Sequence, residues 1–315
     1  MIENLISSIN AVAPIFIMVF LGVLIKRKGI INDNFASKGT NLGFKVAFPA
    51  LLFRDVSKTD FTSVFNIRLI LFVVIGILLQ FVVLWIVCSV FIKEKEKLGA
   101  FVQGSFRGNF LLIGLPLAYN LFGQSGLAKC AILLSFVIPL YNVLATILLT
   151  VTSQPSESLN FKEILKNILK NPLIMSIIIA LPFSYFKIQL PAVLSQPIDY
   201  LSDLALPIAL LSMGCNFSYA GVKKDLKLSL TAVFIKIVAA PLIFILTAFF
   251  LGFRNEELGS ILILFGAPTA VTSYIMAKGM GSDSELAANI VLMSTLGSIL
   301  TLFAGIFLFK NMGVI

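Results

Sequence analysis

The residues able to do chemistry in this chain are few and sit in apolar surroundings. Residues 107–123 read RGNFLLIGLPLAYNLFG, with Arg107 and Asn109 heading an apolar run that contains Gly114 and Pro116. Residues 261–281, ILILFGAPTAVTSYIMAKGMG, have Gly266 and Pro268 near the middle and the hydroxyls Thr269, Thr272 and Ser273 just after. A proline inside a helix removes a backbone hydrogen bond and clashes with the turn before it. In hydrocarbon, each carbonyl or amide freed this way costs several kcal/mol unless protein, water or a ligand satisfies it. Half-helix N-termini at such a break carry partial positive charge and free N–H groups, which suit an anion. The expected chemistry is therefore binding of a small anion, with Asn109, Gly114, Pro116, Gly266, Pro268 and Thr269 as the candidate residues. A lone proline is more often a packing kink, and the chain has others at Pro14, Pro49, Pro139, Pro182, Pro207 and Pro241. Two broken runs at matching depth are what point to a site.

Charges within apolar runs are the second signal, because a charge at bilayer depth costs at least ~2.5 kcal/mol on insertion scales and usually marks function. Lys45, four residues before Pro49, either attracts the anion or snorkels to the interface. Lys236 lies nine residues past Lys227 and therefore deeper. It is a candidate for steadying the break or touching substrate. Arg107 is placed to draw anions in or to cap the inner interface. Asp199 and Asp203 stand one turn apart where a helix is expected to begin, as a proton-coupling pair or, preferably, as caps. Asp283 and Glu285 read as caps too. Thr269 is the hydroxyl best placed to face the break. For Thr272 and Ser273 the default is a bond back to their own helix.

Other chemistries lack their residues. The chain has no histidine, so the commonest general base and metal ligand is missing. Cys88, Cys130 and Cys215 are odd in number and have no metal-binding spacing. No HExxH, no GxxxxGK[ST] and no pair of mid-membrane aspartates occurs. An enzyme is not expected, and neither is a metal, a cofactor or direct use of ATP. A channel would need a continuous polar stripe, and a membrane sensor would need a ligand domain. Both stay as alternatives to a carrier.

The elements that must position these residues are membrane helices. The 315 residues are 58% hydrophobic and only 12% charged, against about 25% charged in soluble domains. The fold class expected is all-α integral membrane. A span needs about 20 mostly apolar residues, and ten are expected: 4–25, 39–57, 69–92, 98–122, 130–152, 168–186, 201–220, 227–251, 257–279 and 286–309. The first has no basic n-region and ends at Lys26-Arg27-Lys28, so it reads as a retained helix rather than a signal peptide. Fourteen Lys and Arg fall in the loops of one side and seven in those of the other. The positive-inside rule then puts the richer side in the cytoplasm and both termini outside. The net charge of +9 is read as this loop bias, with no nucleic-acid partner.

Residues 153–167 are the polar centre of the chain and are expected to form an amphipathic helix on the inner membrane surface. They would join residues 1–152 to residues 168–315 within one membrane domain. FPALLF (48–53) matches LPIALL (206–211), and Pro116 matches Pro268. Five helices in each half force opposite orientations, which makes an inverted 5+5 repeat with broken helices 4 and 9. Inverted repeats with broken helices are the pattern of secondary transporters.

At these residues the chain resembles the auxin efflux carrier family, which includes plant PIN-type auxin carriers and bacterial carriers of malonate or other organic acids. The resemblance lies in GNFLLIGLPLAYNLFG (108–123), APTAVTSYIMAKGMG (267–281) and NLGFKVAFPALLF (41–53), and it covers nearly the whole chain. It implies a crossover at helices 4 and 9, a scaffold and dimer surface from helices 1, 2, 6 and 7, and a moving unit from helices 3–5 and 8–10. It implies elevator-type transport of an auxin-like or malonate-like carboxylate by a homodimer in the cytoplasmic membrane. Asn109 matches the family's fourth-helix Asn, proposed to contact the substrate carboxylate. Pro116 and Pro268 match its crossover prolines. The long hydrophilic central loop of many plant members is absent. Proton or sodium coupling is left open.

Overall fold

The structure is a computed structural model that describes residues 2–58, 65–153, 172–215 and 225–315. Among them every regular element is helical: α1 (Ile2–Arg27), α2 (Asp33–Leu42), α3 (Phe48–Lys58), α4 (Ile67–Phe91), α5 (Lys95–Phe106), α6 (Leu115–Ser153), α7 (Pro172–Tyr185), α8 (Ala192–Cys215), α9 (Leu226–Phe234), α10 (Ala240–Phe250), α11 (Asn255–Gly266), α12 (Val271–Gly279) and α13 (Ser284–Asn311). Starts are marked by short polar side chains. Asn32, Asn66 and Asp283 accept the N–H groups of Phe35, Leu69 and Leu286 at the heads of α2, α4 and α13, as N-caps do. The expected cap at Asp283 is thus present.

Three wide, π-type turns interrupt the helices, at Gly43–Ala47, Phe110–Gly114 and Ile235–Ala239. Each ends two residues before a proline: Pro49, Pro116 and Pro241. The cause is local. The proline cannot donate to the carbonyl one turn back and its ring pushes that carbonyl away, so the backbone widens by one residue just before it. The effect of Pro116 is therefore a widened turn rather than a break in the chain path.

Among the described residues six helices are long and apolar enough to cross a membrane: α1, α4, the run Phe110–Ser153, α8, the run Leu226–Phe250, and α13. Six of the ten expected spans lie on them. The other four are not long continuous apolar helices. The span 39–57 is divided by the turn at Gly43–Ala47. The spans 98–122 and 257–279 are cut at residues 107–109 and 267–270, and 168–186 is described only from Pro172. The run Phe110–Ser153 itself changes direction at Gly123, whose φ of 65° and ψ of −151° a glycine alone adopts cheaply. The expected surface helix at 153–167 lies outside the described residues.

The outer faces are apolar. On α4, Leu69, Val73, Gly76, Ile77 and Gln80 are buried while Leu71, Ile75, Leu79, Val83 and Ile86 are exposed. A helix apolar all round, with half of it uncovered, suits a lipid surface. Packing gathers the helices into two groups, which meet where α1 lies against α13 and α6 and where α3 lies against α6. In one, α8 lies against α1, α2 and α3, and α3 against α7. There Gly22 and Gly214 let α1 and α8 approach until a Cβ on Gly214 would stand 1.9 Å from the Val19 carbonyl oxygen, the small-residue contact of membrane helices. The other group is α4–α6 with α9–α13. At its centre Leu98–Phe106 of α5 and Leu258–Gly266 of α11 are buried on every side, and both run straight into a break.

Candidate functional site

The two breaks meet. Gly108 and Thr269 form an antiparallel bridge. The Asn109 N–H donates to the Pro268 carbonyl at 2.6 Å, and the Ala270 N–H donates to the Arg107 carbonyl at 3.1 Å. Extended backbone at the centre of a helical protein is tolerable only when its polar groups are met, and here each strand meets part of the other's need. Gly108 permits the approach: a Cβ there would stand 3.1 Å from the Leu264 carbonyl oxygen and 3.3 Å from Lys236 Nζ.

The four helix ends at the crossing are treated in two ways. The ends of α5 and α11 expose carbonyls, and side chains reach in to satisfy them. Thr269 Oγ1 donates to Gly104 at 2.6 Å, Gln80 Nε2 to Ser105 at 3.1 Å, and Lys236 Nζ to Phe265 at 2.8 Å. The Lys236 ammonium, a cation at the negative end of a helix, is fully buried. The Thr269 N–H is taken by Ser294 Oγ at 3.0 Å. The two helix beginnings are left open. Phe110, Leu111 and Leu112, and across from them Val271 and Thr272, have N–H groups with no acceptor in their own helices. All five residues line one cavity of about 230 Å³.

All the polar side chains in this cavity but Thr40 come from the same helix group. Arg107 is 7% exposed and donates to Asn142 Oδ1 at 2.6 Å and to the Met276 sulfur at 2.7 Å. No carboxylate lines the cavity and none pairs with Arg107 among the described residues. The Tyr141 hydroxyl is buried beside the Gly108 backbone and donates to no acceptor among the described residues. Asn109 is 5% exposed, and among the described residues its amide reaches only the Met213 sulfur, at 3.9 Å. The opposite wall belongs to the other helix group and is almost wholly apolar: Phe44, Phe48, Ala209 and Met213, with Thr40. Paired helix N-termini, one unpaired guanidinium, two amides and a phenol make a chamber for a small anion.

The structure sorts the expected residues. Asn109 and Arg107 line the cavity. Pro268 and Thr269 form the crossing itself but do not line the cavity; the Thr269 hydroxyl is spent on Gly104. Thr272 lines the cavity, whereas the buried Ser273 hydroxyl makes no bond to its own helix. Pro116 is not the partner of Pro268 across the crossing. That partner is the stretch at Gly108, eight residues earlier, because the widened turn at Phe110–Gly114 absorbs the effect of Pro116. Gly114 makes room for the Phe110 ring, 2.5 Å from where its Cβ would be, and Gly266 makes room for Leu302. Lys45 is exposed on the outer face, while its neighbour Phe44 faces the cavity. Lys236 lies at the crossing, outside the cavity lining. Asp199 and Asp203 are not at a helix start: α8 begins at Ala192, and the two acids face Arg54 and Lys58. Gly108, Tyr141, Asn142 and Gln80 were not foreseen as site residues. Gly108 adjoins Asn109 and had a signal in the sequence. Tyr141 and Asn142 lie on α6 with none.

Comparison with known proteins shows the family of the chain. A family model described as membrane transport protein matches residues 7–304. An "Uncharacterized transporter" of Methanocaldococcus jannaschii is 25% identical over 300 residues, covering 93% of this chain and 96% of the relative. Another, of Methanothermobacter thermautotrophicus, is 19% identical over 296 residues, covering 94% and 96%. A "Putative malonate transporter" of Rhizobium meliloti is 25% identical over 308 residues, covering 95% of each chain.

Proposed function

From the premise that this chain belongs to the membrane transport protein family, that of the auxin efflux carriers, we propose that it is a secondary carrier of a small organic carboxylate. The chain is a multi-pass membrane transporter, and transporters move their substrate without transforming it. The anion is held at the crossing, by the beginnings of the two half-helices and by Asn109. The observation that carries this reading is the opening of both helix beginnings, Phe110–Leu112 and Val271–Thr272, into one cavity that holds a cation and no acid.

Movement follows from the two helix groups. Nearly every polar group of the site sits on the group α4–α6 with α9–α13, and the facing wall is a smooth apolar surface. The first group slides along that wall as an elevator, carrying its anion between the two sides of the cytoplasmic membrane. The wall group holds the protein in place and supplies the contact to a second copy in a homodimer. In this reading the chain crosses the membrane ten times as an inverted repeat, with both termini outside. The cavity is smaller than the ~300–1,000 Å³ of pockets for drug-sized ligands, which favours a malonate-like acid over an auxin-like one. A membrane potential, negative inside, favours export of an anion by about 2.3 kcal/mol per charge per 100 mV, so import would need co-transported protons or sodium.

A thermal-shift panel on purified protein tests the reading, with malonate, other small dicarboxylates and indole-3-acetate, each with and without sodium. A ligand that binds the folded state raises its melting temperature. The expected result is stabilisation by a small carboxylate that disappears in Asn109→Ala, with the ligand-free melting temperature nearly unchanged. No shift with any acid would overturn the anion assignment.

A further inference from the structure

Arg107 is the cation of this cavity, and the carrier reading gives it no particular group of the substrate to hold. The half-helix beginnings and Asn109 suffice to hold one carboxylate. Arg107 adds a full positive charge to the same cavity, 7% exposed, with no acid beside it among the described residues. Burying an ion without a counter-ion costs several kcal/mol, and proteins normally avoid it by pairing. Its two bonds, to Asn142 Oδ1 and to the Met276 sulfur, orient the guanidinium without neutralising it. Among the described residues the other N–H donors of the fork have no acceptor. The Tyr141 hydroxyl, also buried and donating to no acceptor among the described residues, lines the same cavity. A second group able to bind an anion stands beside the first.

We infer that the transported substrate is a small dicarboxylate, with one carboxylate on the paired half-helix beginnings and Asn109 and the other on the Arg107 guanidinium, with Tyr141 beside it. Planar bidentate pairing with a carboxylate is the contact Arg makes best. A substrate bearing an ammonium group is disfavoured, because the cavity offers it no carboxylate. A monocarboxylate leaves Arg107 unpaired and binds more weakly. This inference rests on the carrier reading above and adds its substrate class.

The test compares malonate with two ligands that keep one carboxylate and lose the other charge, propionate and monomethyl malonate. Binding is read by calorimetry on purified wild-type protein, Arg107→Gln and Arg107→Lys. Wild type should bind malonate at least about tenfold more tightly than either monoanion, the size of one lost hydrogen-bonded charge contact. Arg107→Gln should bring malonate down to the monoanion level and leave the monoanions within about threefold. Arg107→Lys should recover part of the malonate affinity, since it keeps the charge and loses the fork. Equal binding of malonate and the monoanions by wild type would overturn the dicarboxylate assignment whatever the variants do. So would an equal loss for all three ligands in Arg107→Gln. In both cases the carrier reading stands. Failure of every carboxylate to bind wild type would instead overturn the carrier reading and this inference with it.

Discussion

Arg54 and Arg107 carry the same guanidinium and are treated in opposite ways. Arg54, near the end of α3, contacts three carboxylates: Asp55 at 2.9 Å, Asp203 at 2.8 Å and Asp199 at 4.0 Å. Lys58 joins the cluster through Asp199 at 3.1 Å. Asp55 is buried, and the cluster ties α3 to α8. Arg107, at the crossing, contacts an amide and a thioether and, among the described residues, no carboxylate. A charge matched by protein acids is complete and does structural work. A charge set in place by neutral groups is, on the proposed function, the one that meets the substrate anion. Asp199 and Asp203, expected as caps or as a proton pair, belong to the first kind.

The largest break in this comparison comes from Gly108→Val. The new side chain must displace the Leu264 carbonyl or Lys236, and with it the crossing on which the Arg107 site depends. Uptake into proteoliposomes should fall to background, while the Arg54 cluster, on the other helix group, keeps that group folded. Transport at half the wild-type rate or more would show that the crossing does not need a bare backbone there.

A smaller and opposite effect is expected from Arg54→Gln. It withdraws a partly buried cation from the buried Asp55 and unties α3 from α8. The loss should be on the order of 2 kcal/mol, below the ~3–5 kcal/mol of a fully buried pair because Asp199 and Asp203 are largely wetted. The melting temperature should drop by several degrees, and the rise produced by a bound carboxylate should be unchanged. An Arg54→Gln protein that melts normally but loses its ligand response would erase the distinction between the two arginines.

The smallest effect should come from Lys45→Gln. Its side chain lies on the outer face, so apparent affinity for the anion should stay within about twofold, a difference of less than about 0.5 kcal/mol. A tenfold loss would mean that Lys45 turns inward during transport.

Much of the fold was readable because proline and apolar length act locally. A run of twenty apolar residues is a span wherever it packs, and Pro49, Pro116 and Pro241 each widen the turn before them by the same steric cause. The break at Pro268 was legible for that reason. The break at Gly108 was read as lying at Pro116, since a glycine within a helix leaves no comparable mark. What makes Gly108 a break is a neighbouring segment that needs its backbone. Tyr141 and Asn142 were invisible for the same kind of reason, being ordinary residues of a long helix until Arg107 is set beside them.

By itself the sequence determined that the chain is a membrane protein, where most of its long helices run, and that two of its helices are interrupted by conformation-limiting residues. These follow from composition and from covalent limits on the backbone. The tertiary structure decided which interruption meets which, that the carbonyl ends are satisfied while the amide ends open into a cavity, and that Arg107 faces inward while Lys45 faces out. Each residue along a helix turns the side chain by about 100°. Depth in the membrane can therefore be counted along the chain, but the direction of a charge has meaning only once its neighbours are packed around it.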